Sequence, residues 1–128
     1  MNAYGRRLVA EADFETTLGD VCRALREEGL QVLARTDVRE HFWNQLSRNF
    51  RQYVLLDAWS PDLAFEALRQ NPDVGSVLPA RFAVYALNDE RTAVSVAEPV
   101  APLAERERIG RALARLEHAD AAHRYSRI

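Results

Sequence analysis

The sequence has few cysteines, no lysine and no long apolar run, and each of these features limits the class of protein that it can be. It has 128 residues, with one cysteine, Cys22, and no lysine, so all 17 of its basic side chains are arginine. A single cysteine excludes a disulfide within the chain and a metal site built from several cysteines. The apolar runs are too short to span a bilayer, and none near the N-terminus has the length of a signal peptide. We therefore expect a soluble, cytoplasmic protein.

The charged residues are nearly balanced. They make up 28% of the chain and leave a formal net charge of -2, while 48% of residues are hydrophobic, enough for one continuous core. A balance of this kind creates no long-range field toward nucleic acid or a membrane surface, and we expect neither as a partner. The exclusive use of arginine has two explanations: a GC-rich genome, or a surface that binds carboxylates or phosphates in bidentate fashion.

Hydrophobic periodicity predicts an α+β domain spanning residues 1–128. The predicted strands are Gly5–Ala10, Leu30–Asp37, Arg51–Trp59, Arg81–Asn88 and Thr92–Glu98. The predicted helices are Glu15–Glu28, a second from Ser60 to Asn71 and a third over about 104–123, and Val38–Leu46 is compatible with a further short helix. The order βαβ(α)βαββα predicts a single layer of mostly antiparallel sheet, with about five strands, packed by three helices.

The ends of the helices carry capping signals. Asp13 is predicted to cap the first helix, and Gly29 to stop it in a left-handed conformation. Ser60 is predicted to cap the next helix, with Pro61 at its first position and Asp62 favouring the positive end of its dipole. These signals fix where two helices begin without indicating any chemistry.

The last helix has a charged outer face and an apolar stripe. The predicted outer face contains Arg106, Arg108, Arg111 and Arg115 together with Glu105, Glu107 and Glu117. We expect a solvated face in which Glu107 pairs with Arg111 one turn away. The residues after this helix, 124–128, are expected to fray.

Two central strands alternate between an apolar face and a mixed face. The predicted core-facing residues are Val54, Leu56, Ala58, Phe82, Val84 and Ala86. The opposite face carries Tyr53, Leu55, Asp57, Trp59, Arg81, Ala83 and Tyr85. Aromatic rings mixed with Asp and Arg suit a subunit interface, a small-molecule groove or a half-exposed sheet surface. From this set, Tyr53, Asp57, Trp59, Arg81 and Tyr85 are the candidate interface or ligand-binding residues.

Residues suited to catalysis or to metal binding are few. Cys22 lies on the apolar stripe of the first helix, which favours a buried structural thiol. No metal-ligand spacing of Cys and His is present, so the sequence predicts neither a metal site nor a cofactor. Asp37, His41 and Asp57 are the weak catalytic candidates, since two strand carboxylates and a histidine can act as general acids and bases. That use requires the three side chains to converge.

An ordered set of short motifs resembles the family known as domain of unknown function 302. The set begins with Glu28-Gly29-Leu30 and a strand that closes on Asp37, and continues with Ser60-Pro61-Asp62-Leu63-Ala64, Gly75-Ser76-Val77-Leu78-Pro79 and Glu98-Pro99. The resemblance covers roughly residues 10–100. It implies a compact α+β domain, distantly like the TATA-binding-protein fold, and a homodimer, but no established activity.

These observations lead to one principal hypothesis and one alternative. The principal hypothesis is a homodimeric binding or interaction module without catalytic activity, with itself as the main partner and a small molecule as an additional ligand. The alternative is a small-molecule hydrolase or isomerase that uses Asp37, His41 and Asp57 in a groove on the sheet. A nucleic-acid binder is disfavoured, since fold analogy alone does not fix function.

Overall fold

The computed structural model describes residues 4–97, 103–117 and 125–127. One antiparallel sheet contains β1 (Gly5–Ala10), β2 (Gln31–Asp37), β3 (Tyr53–Trp59), β4 (Ala80–Ala86), β5 (Thr92–Ala97) and β6 (Tyr125–Arg127), in the order β2-β3-β4-β5-β1-β6. The helices are α1 (Phe14–Glu27), α2 (Val38–Leu46), α3 (Pro61–Gln70) and α4 (Leu103–Glu117), with a 3-10 turn at Pro72–Ser76. The α+β prediction is confirmed, and the described residues form six strands and four helices rather than about five and three.

The core lies between one face of the sheet and the two long helices α1 and α4. The predicted inward-facing residues of β3 and β4 are confirmed, because Val54, Leu56 and Phe82 are almost wholly buried. The apolar stripe predicted for the last helix is confirmed over its described part, where Ile109 and Leu113 are buried in the same cluster. Burial of this continuous apolar surface is the main source of stability.

The predicted ends of α1 are confirmed in atomic detail. Asp13 precedes the helix, and its Oδ1 accepts a hydrogen bond of 2.8 Å from the backbone N of Thr16. Gly29 follows the helix with φ of +80°, a left-handed conformation that glycine adopts without the strain a Cβ would add. These short-range signals turn the chain back so that β2 joins the sheet.

The expectation that the C-terminal residues fray is wrong for Tyr125–Arg127. They form β6 beside β1, and the buried Tyr125 hydroxyl donates a 2.9 Å hydrogen bond to Asp20 of α1. Burial, reinforced by the Asp20 carboxylate, raises the pKa of Tyr125, so the hydroxyl remains a donor. The strand forms because partners far away in the sequence hold it, which no local propensity reveals.

The predicted capping role of the Ser60 side chain is also wrong. Ser60 does precede α3, but its side chain makes no capping hydrogen bond. Instead, Glu105 of α4 accepts a 2.9 Å hydrogen bond from the backbone N of Ser60. A carboxylate from a distant helix thus satisfies the buried backbone N–H of Ser60 itself, a different donor from the first-turn N–H groups that a Ser60 hydroxyl would cap.

The charged face of α4 differs from its prediction in the partners it uses. Arg111 donates to Glu28 at 3.0 Å, and Arg115 contacts both Glu27 and Glu28 of α1. Glu105 is buried rather than on the outer face. The described part of α4 is therefore joined to α1 of its own chain. The predicted remainder of this helix, 118–123, lies outside the described residues, as do His118 and His123.

At the opposite edge of the sheet, β2 and α2 are held much less firmly. The short helix at Val38–Leu46 is confirmed, and Asp37 caps it by accepting a 3.0 Å hydrogen bond from the backbone N of Glu40. No residue of α2 is buried. Strand β2 contains a register shift between Val32 and Ala34, and most of its residues are exposed. This edge contributes little to the core.

Candidate functional site

The register of the strands assembles one set of side chains on the face opposite α1 and α4. Directly paired residues of an antiparallel sheet point to the same side. Tyr53 pairs with Tyr85, Asp57 with Arg81, and Arg7 of β1 with Ser95 of β5. We call this the open face, defined by Arg7, Tyr53, Leu55, Asp57, Arg81, Ala83, Tyr85 and Ser95. It is partly exposed, whereas the core face is closed.

Two stacked tyrosines form the centre of the open face. The rings of Tyr53 and Tyr85 lie 5.2 Å apart between centroids and only 10° from parallel. The guanidinium carbons of Arg7 and Arg51 each lie 5.9 Å from the centre of the Tyr85 ring. Cations over an aromatic face are attracted by its electron-rich surface. The result is a flat aromatic platform flanked by two positive charges.

An ion pair borders this platform. Arg81 donates from Nε to Asp57 Oδ1 at 2.9 Å and from Nη2 to Asp57 Oδ2 at 3.3 Å. This two-point contact holds the guanidinium in one orientation, and Asp57 raises the pKa of Arg81 above its already high ordinary value. Because both Asp57 oxygens accept from Arg81, this carboxylate is a positioning group for the arginine rather than a poised base.

The open face contains a groove of about 580 Å³. Its described lining includes Arg7, Arg81, Tyr53 and Tyr85, with Leu55 at the floor, and no acidic side chain. The Nε of Arg7 is buried and has no hydrogen-bond partner among the described residues. A buried donor without a partner costs free energy, so this atom is suited to an acceptor supplied by a ligand.

A row of aromatic rings connects the groove to α2. Phe42 of α2 meets Phe50 edge-to-face at 5.2 Å between centroids, and Phe50 lies 6.0 Å from Tyr53. Aromatic contacts of this geometry are favourable beyond simple burial. The row places α2, at the weakly packed edge of the sheet, in continuous aromatic contact with the platform.

The three weak catalytic candidates are not brought together. Asp37 pairs with Val54, whereas Asp57 pairs with Ala34, so their side chains lie on opposite faces of the sheet. Asp37 caps α2 by accepting from the backbone N of Glu40, and Asp57 forms an ion pair with Arg81. His41 is exposed, 5.9 Å from Phe42 between ring centroids. This geometry gives no support to the hydrolase or isomerase alternative.

Some of the candidate binding residues line the groove, and one does not. The structure brings Tyr53, Tyr85 and Arg81 together in the groove, with Asp57 holding Arg81 in place. Trp59 pairs with Gln31 at the end of β3 and is not among the lining residues. In the described parts of the chain, no group of three or more His, Cys, Asp or Glu side chains is placed to hold a metal ion.

Sequence reasoning missed Arg7 and Arg51. Arg7 follows Arg6 and precedes Leu8, which is buried, so alternation along β1 was a usable signal that Arg7 points away from the core. Alternation does not reveal that β1 lies beside β5, three strands away from β3, which carries Tyr53. Arg51 precedes β3, and no periodic pattern places it over Tyr85.

The model of the domain of unknown function DUF302 matches residues 6–123. The chain belongs to the DUF302 family. The family resemblance drawn from the short motifs is thereby confirmed, and the matched region extends beyond the expected core of about 10–100. No curated protein matches the chain.

A solved DUF302 structure shows the same fold. The crystal structure of an uncharacterized conserved DUF302 protein from Bacillus stearothermophilus aligns with a TM-score of 0.73 at 22% identity, covering 93% of this chain and 100% of that chain. Within the described residues of this DUF302 protein, no helix has the length and hydropathy needed to cross a membrane. Membership of the DUF302 family supplies a fold and no activity, so function has to be argued from the groove.

Proposed function

We propose that the protein is a homodimeric binding module without catalytic activity, and that its groove binds a small, flat molecule carrying an acidic group. The observation that carries the proposal is the Tyr53–Tyr85 stack flanked by Arg7 and Arg51. A flat ring extends the stack, and an acidic group finds the buried Nε donor of Arg7.

Charge favours a ligand over a second sheet on the open face. Among the described residues, three arginines border the platform, Arg7, Arg51 and Arg81, against the one carboxylate of Asp57. Two copies facing each other across this surface would bring like charges together, which opposes association. An anionic ligand is attracted to the same arginines. This local attraction operates even though the whole chain carries a formal net charge of -2.

The ligand class can be tested with three probes of similar size: 2-naphthoate, which is flat and anionic; 2-naphthamide, which is flat and neutral; and adamantane-1-carboxylate, which is anionic but not flat. Calorimetric titration should show 2-naphthoate binding tightest. Tyr85→Ala should weaken it about tenfold, since a stacking contact contributes roughly 1 kcal/mol or more. Arg7→Gln should remove the preference for the carboxylate over the amide.

The matched control is Phe65→Ala, which removes another aromatic ring, one that is 65% exposed on α3 and does not line the groove. It should leave all three affinities unchanged. Equal binding of 2-naphthoate by the wild type, Tyr85→Ala and Phe65→Ala would contradict the proposed groove.

The dimer is assigned to the outer side of α2. Trp43 and Leu46 are 54% and 60% exposed, and because they are three residues apart they lie on the same side of the helix. A nine-residue helix with no buried residue has little stability of its own. Segment 37–50 carries two acidic and two arginine side chains, so a second copy meets no net repulsion there.

Analytical ultracentrifugation tests this assignment. The wild type should sediment at about twice the chain mass of 14.6 kDa, and Trp43→Ser combined with Leu46→Ser should sediment as a monomer. Phe65→Ser is the control, because it removes an equally exposed apolar side chain from a different helix. A wild-type monomer, or a dimer that survives the double change, would refute the α2 interface.

A further inference from the structure

A second cavity lies on the core side of the sheet, between the end of α1 and the edge strand β2. It has a volume of about 510 Å³ and is bounded by the end of α1, by β2 and by the start of α3. Leu30, Val32 and Leu56 give it an apolar wall, of which Leu30 and Leu56 belong to the buried core. The groove on the open face and this cavity are on opposite sides of the sheet.

Two arginines line the cavity and are not engaged elsewhere in the described structure. The guanidinium groups of Arg26, at the end of α1, and Arg35, on β2, form no hydrogen bond or ion pair with another described residue. The nearby acids are already occupied, since Glu27 and Glu28 accept from arginines of α4. Both guanidinium forks are therefore available for a carboxylate or a phosphate, whose geometry they match.

Cys22 is part of the wall of this cavity. It is half-buried and packs against the core cluster. Burial raises the pKa of the thiol above its ordinary value of 9.0, and the opposing effects of Arg35 and Arg26 are smaller. A neutral thiol is a weak nucleophile, so Cys22 serves here as an apolar surface rather than a reactive group.

We propose that this cavity is a second binding site, for a small amphiphilic anion. Its apolar tail lies against Leu30, Val32 and Leu56, and its acidic head lies between Arg26 and Arg35. The site combines an apolar wall with two exposed arginines that line it, a composition that orients a ligand with one charged end. It does not depend on the groove or on the dimer.

The single cysteine of the chain provides a reporter inside the cavity. Iodoacetate and iodoacetamide alkylate a thiol by the same displacement: the sulfur bonds to the CH₂ carbon, iodide leaves, and the thiol proton passes to solvent. The two reagents are nearly equal in size but differ in charge. The ratio of their rates at Cys22 therefore measures the attraction of the cavity for an anion, because any change in thiol ionisation affects both rates alike.

Arg26→Gln combined with Arg35→Gln should lower the iodoacetate-to-iodoacetamide rate ratio by about threefold or more. The control is Arg69→Gln combined with Arg106→Gln, which removes the same charge from exposed positions that do not line the cavity. The control ratio should stay close to that of the wild type. Equal ratios in all three proteins would overturn the proposal.

Octanoate and octyl phosphate test occupancy and distinguish the two acidic heads. Either one, at up to about 10 mM, should slow alkylation of wild-type Cys22 by both reagents in a saturable way, while neutral octanamide should not. Protection should be lost in the double variant of Arg26 and Arg35 and retained in Tyr85→Ala, which alters only the groove. No protection by either anion, or equal protection by octanamide, would refute an anion site.

Discussion

The two faces of the sheet are built from alternate residues of the same strands, yet they serve different purposes. On the core face, Phe82 and Leu56 are almost fully buried, and even a polar group such as Glu105 is buried and hydrogen-bonded across helices. On the open face, Tyr53 and Tyr85 stack while staying partly exposed, and Arg7 keeps an unused donor. The core face is closed by packing, although Oε2 of Glu105 and Oγ of Ser60 have no hydrogen-bond partner among the described residues, whereas the open face keeps an accessible groove.

This difference indicates where function can change without loss of the fold. Closure of the core face supplies stability, so its side chains are constrained by packing. The open face carries groups whose interactions are incomplete, which is the usual condition of a binding surface before its ligand arrives. At the cavity beside Cys22 the core face itself resembles the open face, since an apolar wall lies next to arginine side chains.

The largest expected effect is a difference in the free energy of unfolding between substitutions on the two faces of β4. Phe82→Ala should lower the free energy of unfolding by about 3–5 kcal/mol, because it empties a packed core position. Tyr85→Ala, three residues away on the open face, should cost about 1 kcal/mol. Urea denaturation measures both values, and Phe82→Leu, at about 1 kcal/mol, provides a variant that stays folded. Equal losses for the two alanine variants would remove the distinction between the faces.

A smaller effect tests whether buried polar groups on the core face are structural. Glu105→Ala leaves the backbone N of Ser60 without its acceptor and should cost about 1–3 kcal/mol. Glu105→Gln retains a carbonyl oxygen of similar reach and should cost less. Hydrogen exchange at the amide of Ser60 should accelerate in the alanine variant and much less in the glutamine variant. Identical exchange in both would mean that this contact does not hold α3.

The smallest effect concerns pH and the ion pairs that join α4 to α1. Hydrogen bonds from Arg115 and Arg111 lower the pKa of Glu28 below its ordinary 4.5. The folded state therefore binds this proton more weakly than the unfolded state, so the stabilisation is complete above about pH 4.5 and is lost as pH falls through the lower folded value. We expect the total to be below about 1 kcal/mol, since solvent screens exposed pairs.

Thermal unfolding from about pH 5 to about pH 3 measures this contribution. The melting temperature of Glu28→Gln should start lower and fall less steeply than that of the wild type. Glu90→Gln, in the exposed loop between β4 and β5, should follow the wild-type slope. If Glu28→Gln and Glu90→Gln gave the same slope as the wild type, the α1–α4 ion pairs would be irrelevant to stability.

Local patterns predicted most of the secondary structure. The 3.6-residue stripe placed α1, Asp13 and Gly29 marked its ends, and alternation separated Val54 and Leu56 from Tyr53 and Leu55. These predictions succeeded because they depend on the geometry of a single helix or strand, which the chain encodes within a few residues. They also identified Tyr53, Arg81 and Tyr85 as members of one face.

Predictions that depended on distant partners were less successful. The Ser60 hydroxyl was expected to accept from the first turn of α3, but it makes no capping hydrogen bond; the contact that forms runs from the backbone N of Ser60 to Glu105 on another helix. The arginines of α4 were expected to pair within their own helix, but Arg111 and Arg115 reach α1. In each case a polar group has several chemically suitable partners, and only the packing of the helices selects among them.

The sequence by itself determined the α+β class, five of the six described strands of the sheet and the two faces of each central strand, because hydrophobic periodicity is a local property. Only the tertiary structure decided the strand order that puts Arg7 beside the Tyr53–Tyr85 stack, and the register that places Asp37 and Asp57 on opposite faces. Strand order and register are set by burial summed over the whole sheet, in which every strand competes for the same core.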